Sequence, residues 1–348
     1  MKFLRIKYLL SLGLALVFCI LAFLLLNFKR TNPHFLREKG FTRNLKSAYV
    51  DLISKQLLPS DTYSLLGAFG GKVFVRGYNT ATILSVAPFD TVVVPNGRSA
   101  NTAYKIPQTE AGPVELNVAS GELTVFSPEA KRLTVLDARN FEEKYQVLFN
   151  AGFSRASKAG HYVLATTDSA YRALFKLYRI SPAHTAKVVK TLDLLKGTSM
   201  SEDGTLKSNG VNLFAFVSFY KNSLWVIDTA AHVLAGHTID TITTGPKTAL
   251  IMNGSRMVYA EPVRLTNSSF HFMDGLLGVE SVVASDTPYE HLKENSLVDF
   301  YTTQGRYAYS VALNGEYNVR PRDVLVQAGL LYVLSGNKLL TYRINIPK

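Results

Sequence analysis

The sequence predicts an all-β fold, a six-bladed β-propeller preceded by one N-terminal transmembrane helix. Three observations carry that reading. One uncharged apolar stretch lies near the N-terminus, no helical period follows it, and short β-rich runs then return in groups. The apolar stretch is residues 8–28 (YLLSLGLALVFCILAFLLLNF), which contains no charged residue. At a rise of about 1.5 Å per residue, roughly 21 residues cover about 31 Å, the thickness of a bilayer's hydrocarbon core.

Residues 1–7 form a short basic stub (Lys2, Arg5, Lys7), and residues 8–28 read as an uncleaved, single-pass signal-anchor helix. A cleaved secretory signal shares the basic start, but its apolar run is usually about 7–15 residues and ends at a small-x-small site. Here Asn27-Phe28-Lys29-Arg30 follows instead. Cys19 at the end of an apolar run would suit bacterial lipidation, yet Phe18 precedes it where a small residue is needed. As the only cysteine it also excludes an intrachain disulfide and a cysteine-based zinc site.

The formal net charge of +12 belongs mostly to the anchor's flanks. Residues 1–50 hold nine Lys and Arg against Glu38 alone, which is +8, and the other 298 residues share +4. Cations beside a span meet anionic head groups, at up to about 1 kcal/mol each. The nearly balanced remainder gives no field for nucleic acid. Three cations precede the span and six follow it, which by the positive-inside rule favours a cytoplasmic C-terminus. A short basic head running straight into an apolar stretch is nevertheless the form of an export signal-anchor. The expected location of the propeller is therefore the extracytoplasmic (periplasmic) face, with membrane lipid and an envelope protein as partners.

Residues 29–60 read as a basic stalk with Pro33 and Pro59, and residues 61–348 as the propeller. Beyond the stalk, alternating or β-branched runs are broken by Gly, Asn, Asp and Ser turns. The first group is 64–70, 72–78 and 80–87. The second is 114–119, 122–126, 132–137 and 145–149. The third is 153–160, 161–166, 173–180 and 188–192, and the fourth is 205–209, 213–220, 223–229 and 237–243. The fifth is 268–273, 278–285, 296–302 and 307–313. The sixth, 323–327, 330–335 and 338–344, ends one strand short, and residues 47–52 (SAYVDL) are the candidate to complete it. Group starts about 40–60 residues apart match radial repetition of four-stranded sheets. A pair of β-sandwiches would also give many short strands. Residues 247–262, with Asn253-Gly254 at a turn, read as a hairpin between the fourth and fifth blades. The short helix candidates are 138–145 and 288–294.

Residues 297–313 (LVDFYTTQGRYAYSVAL) and 322–344 (RDVLVQAGLLYVLSGNKLLTYRI) carry a resemblance. They are similar to the closing part of six-bladed propellers of the TolB-like and NHL-like kind, in which an Asp- and Tyr-bearing turn and a G-x-Y precede a last blade ending in an aromatic, apolar pattern. The chain resembles membrane-anchored bacterial propellers of that type, over most of residues 60–348 in architecture and over the last 50 in motif. The resemblance implies the fold and little about activity.

The search for chemistry finds few constellations. The seven histidines (His34, His161, His184, His232, His237, His271, His291) form no HExxH or comparable zinc pattern and read as ordinary surface or strand residues. The acids are scattered, no G-x-S-x-G occurs, and Trp225 is the only tryptophan, which argues against a quinoprotein. No cofactor or metal is expected. Propellers bind where loops converge at the mouth of the channel. That places the candidates at the start of the innermost strands: Arg155 and Ser157 in the third blade, Lys207 and Asn209 in the fourth, Arg320 and Arg322 in the sixth. Several cations there would suit an anionic ligand or an acidic partner loop. The expected function is a membrane-tethered, non-enzymatic binding or scaffold module, with a hydrolase or lactonase at the channel mouth as the alternative.

Overall fold

A computed structural model describes residues 36–37, 41–46, 50–59, 63–77, 82–87, 102–105, 115–169, 172–251, 256–284, 295–314 and 322–344. Residues 8–28 lie outside them. Among the described residues no helix is long and apolar enough to cross a membrane.

Six four-stranded antiparallel sheets form a closed ring. Blade 1 is Tyr63–Phe69, Lys72–Gly77, Thr82–Val86 and Thr102–Lys105. Blade 2 is Glu115–Ala119, Glu122–Ser127, Arg132–Asp137 and Glu143–Leu148. Blade 3 is Arg155–Ala159, Tyr162–Ser169, Arg172–Ile180 and Ala186–Leu192, and blade 4 is Gly204–Ser208, Leu213–Ser218, Ser223–Asp228 and Val233–His237. Blade 5 is Asn267–Met273, Leu276–Ser281, Asn295–Thr302 and Tyr307–Asn314. Blade 6 is Asp323–Gln327, Leu330–Ser335 and Lys338–Ile344, completed on the outside by Val50–Leu57 from the other end of the chain.

The first strand of each blade lies innermost, and each innermost strand contacts the next around the ring, including that of blade 6 against that of blade 1. All six therefore begin on one face of the disc, here the entry face, and end on the other, the exit face. Connections between blades, and between second and third strands, lie on the entry face.

Why the strands form is visible in their burial. A middle strand sits between two neighbouring blades, so both of its faces are covered and it reads as a continuous apolar run. Val73, Phe74 and Val75 are all buried, as are Phe214, Ala215, Phe216 and Val217. Outer strands meet solvent, and Ala186–Leu192 is exposed along most of its length. Six apolar clusters fill the six blade-to-blade interfaces, and the one joining blades 6 and 1 contains Leu65, Val73, Val75, Tyr332, Leu334 and Leu339.

The N-terminal strand closes the ring in register, from Val50 opposite Ile344 to Leu57 opposite Lys338, with a bulge between Leu52 and Ser54. Residues upstream dock on blade 5. Leu36–Arg37 pairs in parallel with Val283–Ala284. Arg43 is buried at 7% exposure, and its Nε and Nη2 donate to Asp299 Oδ1 (2.9 Å) and Oδ2 (3.1 Å) while Nη2 also reaches Ser281 Oγ (3.0 Å). Lys46 N–H donates to Ser310 O (2.9 Å), and Ser310 N–H donates to Asn44 O (3.0 Å). Much of what reads in sequence as a stalk is thus part of the propeller.

Three local expectations are corrected. Residues 138–145 form turns running into the strand Glu143–Leu148, not a helix, because Asp137 Oδ1 and Asn140 Oδ1 accept from Arg139 N–H and Glu142 N–H and tie off a tight connection. The outer strand of blade 4 is Val233–His237 rather than 237–243, since Asp228 Oδ1 accepts from Ala230 and His232 N–H and turns the chain back at once. Blade 1 has a fourth strand, Thr102–Lys105, that no sequence group contained. Residues 248–251 and 256–259 do form a two-stranded sheet between blades 4 and 5. The candidate helix 288–294 lies outside the described residues.

The buried Arg43–Asp299 pair supplies a prediction. Removing one member leaves the other charge buried without its partner, at a cost of about 3–5 kcal/mol. Arg43→Met is expected to lower unfolding free energy by that order in chemical denaturation, with Arg43→Met/Asp299→Leu recovering most of the loss.

Candidate functional site

The innermost strands place charged side chains along the channel, and those charges separate into two sets. On the entry face Arg155, at the start of its strand, bridges blades 2, 3 and 4. Its Nη1 donates to Glu115 Oε1, and its Nη2 and Nε reach Asp203 Oδ1 at 3.2 and 3.3 Å. Burial works against the guanidinium charge, but Glu115 and then Asp203 outweigh it and push the Arg155 pKa up. This cation is spent on structure.

The second set joins blades 4, 5 and 6. Lys207, His271 and Asp323 come from three innermost strands 52 or 64 residues apart in sequence. Lys207 Nζ lies 3.0 Å from His271 Nδ1 and 2.9 Å from Nε2. In the ring plane, a point that close to both nitrogens would clash with the Cε1 carbon. The ammonium therefore stands over the face of the imidazole, in contact with both ring nitrogens. His271 Nε2 is 3.1 Å from Asp323 Oδ1. Asp323 Oδ2 also accepts from Leu65 N–H of blade 1 (2.8 Å), and Oδ1 from its neighbour Val324 N–H (2.9 Å) and from Ser269 Oγ (3.3 Å).

Burial and the Lys207 charge lower the His271 pKa, although Asp323 pulls the other way. The ring is therefore neutral near pH 7, with Nε2–H donating to Asp323. Burial alone would raise the Asp323 pKa, but the hydrogen bond from His271, the charge of Lys207 and the N–H of Leu65 lower it, so the carboxylate is ionised. Lys207 is pushed down to about 8, because burial outweighs the attraction of Asp323 and Glu115.

Lys207 and His271 line a cavity of about 260 Å³ at the exit face, together with Asn117, Ser208, Asn209 and Gln327. Its walls come from blades 1, 2, 4, 5 and 6. Gly67 forms part of the wall where blade 1 lies close against blade 2, since a Cβ there would lie 2.3 Å from Val118 O.

The sequence placed all six candidates where innermost strands begin, and the structure divides them. Arg155 and Arg322 are on the entry face, Lys207 and Asn209 on the exit face, and Ser157 is fully buried between them with its Oγ unpartnered. Arg320 lies outside the described residues. Arg322 N–H donates to Leu334 O (2.7 Å). Asn209 is a turn residue whose Oδ1 accepts from the N–H groups of Val211, Asn212 and Leu213. His271 and Asp323, absent from the sequence candidates, are the partners that make Lys207 unusual. The available signal was a single histidine between Phe270 and Phe272 in a first strand. Among the described residues no three His, Cys, Asp or Glu side chains converge as a metal site requires.

Burying the Lys207 ammonium should cost stability that a neutral side chain recovers. Between about pH 8 and 10.5 the unfolded chain holds this proton and the folded chain does not, so stability rises with pH across that window. Below it both states are charged and the full cost is present. Lys207→Met is therefore expected to be more stable than the parent at pH 7, by about 1–3 kcal/mol in chemical unfolding, with the difference vanishing toward pH 10.5.

No protein-family model and no curated protein matches the chain. In structure it is similar to a streptogramin B lyase, with 12% identity and a TM-score of 0.49 over 86% of this chain and 98% of that one. It is similar also to a member of the DUF4221 family from Bacteroides vulgatus, with 13% identity and a TM-score of 0.48 over 88% and 100%. BamB from Moraxella catarrhalis matches with 10% identity and a TM-score of 0.39 over 86% and 99%.

Proposed function

We propose that the chain is a membrane-tethered binding propeller whose exit-face cavity receives a small anionic ligand. The observation that carries this reading is the state of Lys207. Among the described residues the other inner-strand cations have carboxylate partners, Arg155 with Glu115 and Asp203, and Lys158 with Glu122 (2.6 Å). Lys207 lines a cavity and, among the described residues, makes no ion pair within 4.0 Å. A carboxylate or phosphate entering there would meet the ammonium, with amides of Asn117 and Gln327 alongside. The cavity lies just below the roughly 300–1,000 Å³ common for small-molecule sites, which suits a small ligand. An acidic side chain presented by an envelope protein is the macromolecular form of the same chemistry.

The tether is the span at residues 8–28, and its signal-anchor form supports an extracytoplasmic (periplasmic) propeller of the TolB-like or NHL-like type. A hydrolase or lactonase at the same mouth is the second reading, favoured by one observation: a neutral His271 oriented by the Asp323 carboxylate is a competent general base.

Inorganic phosphate and citrate serve as probes. Each is expected to raise the melting temperature of the parent at pH 7 and to leave Lys207→Met unmoved. Because the bound anion requires the protonated amine, affinity should fall about tenfold per pH unit above the free-state pKa of about 8. Equal shifts in the parent and in Lys207→Met would contradict the proposal. Ester or lactone turnover lost in His271→Gln while phosphate binding persists would favour the hydrolase.

A further inference from the structure

We infer that the entry face of the propeller, around blades 4 and 5, is a bilayer-docking surface, so that the ligand cavity opens away from the membrane. The inference rests on the anchor reading of residues 8–28 and adds the orientation that this reading leaves open.

The first described strand fixes where the tether arrives. Leu36–Arg37 pairs with Val283–Ala284, immediately after the second strand of blade 5 and hence at the entry face. Seven residues, 29–35, separate it from the predicted span. Fully extended they reach about 25 Å. The innermost strand Tyr63–Phe69 has seven residues, and at about 3.4 Å each it alone spans roughly 24 Å of the disc's depth. Bringing the exit face to the bilayer would consume the whole tether, whereas bringing the entry face there consumes almost none.

The same sector of the entry face is built like an interfacial surface. The hairpin Thr248–Ile251 and Arg256–Tyr259 exposes Leu250 (51%) and Ile251 (41%), and Leu265 beside it is 47% exposed. Its base is pinned, with Tyr259 Oη 2.8 Å from Tyr220 Oη and donating to Met200 O (3.3 Å), and Thr248 Oγ1 3.4 Å from Thr198 Oγ1. The patch is continuous with the tether's arrival point, because Val282 N–H donates to Thr266 O (2.9 Å), next to Leu265. Lys196, Lys247 and Arg264 are exposed on the neighbouring connections, and the exposed acids there are Glu261 and Asp193, which pairs with Arg172. Apolar side chains ringed by cations are what the head-group boundary of an anionic bilayer receives. On the exit face Val211 is exposed in the turn after the innermost strand of blade 4, and Val189 and Leu234 are exposed on the outer strands toward that side.

The test uses the full chain with Cys19→Ser, reconstituted into phosphatidylglycerol-containing vesicles, and an environment-sensitive probe on Ile251→Cys or Val211→Cys. Spin-labelled lipid is expected to quench the probe at 251 at least about threefold more than at 211. Equal quenching at both sites, or more at 211, overturns the placement. A probe at 251 shielded from aqueous iodide yet not quenched by lipid also overturns it, and shows a protein contact in place of the bilayer. Alkaline carbonate extraction separates the two levels. A chain that stays in the membrane with equal quenching loses the docking surface alone, and a released chain loses the tether and the placement together.

Discussion

A propeller blade has two faces to bury and supplies neither cover itself, so every blade depends on closure of the ring. In this chain closure falls to two short contacts between segments far apart in sequence. The strand Val50–Leu57 hydrogen-bonds along Lys338–Ile344 and gives blade 6 its outer edge. At the axis, the Asp323 carboxylate of blade 6 takes Leu65 N–H of blade 1 and His271 of blade 5. The cluster between blades 6 and 1 exists only when both ends of the chain have met. Joining the ends across some 290 residues costs loop-closure entropy, but that cost grows only with the logarithm of the loop, so continuous apolar interfaces can outweigh it.

The same closure creates the site. Asp323 sits where three innermost strands converge, and by holding His271 it sets the ring over which Lys207 stands. A channel this narrow brings side chains from different blades within a few ångströms, where a low local dielectric strengthens attraction and makes an uncompensated charge expensive. The entry end resolves that tension with Glu115–Arg155–Asp203. The exit end leaves it unresolved, since among the described residues no carboxylate pairs with Lys207 within 4.0 Å. A residual cation facing a cavity is a cost to the folded chain, and under the proposed anion binding stability and binding are opposed at Lys207.

The strand groups were legible because their signals are local: apolar runs bounded by turn residues at a regular period. The strand Thr102–Lys105 was not, because TAYK is too short and too polar to be separated from its surroundings without its partner Thr82–Val86. The apparent helix at 138–145 had suitable composition but met tight Asx-type turns at Asp137 and Asn140. In the site, Lys207 was legible as a cation on an innermost strand. Its environment was not, because His271 and Asp323 arrive from two other blades and nothing in the run Phe270-His271-Phe272 says which neighbour the imidazole meets. Arg155 reads as a free cation for the same reason, with its partners 40 and 48 residues away.

Titration of the Lys207 amine tests most directly the proposal that an under-compensated cation at the exit mouth takes up an anion. NMR titration of the Lys207 side chain, assigned by comparison with Lys207→Met, should give a pKa of about 8 in the free protein and a clear rise in saturating phosphate. A value near the ordinary 10.5 that phosphate does not move would rule out the anion site at Lys207.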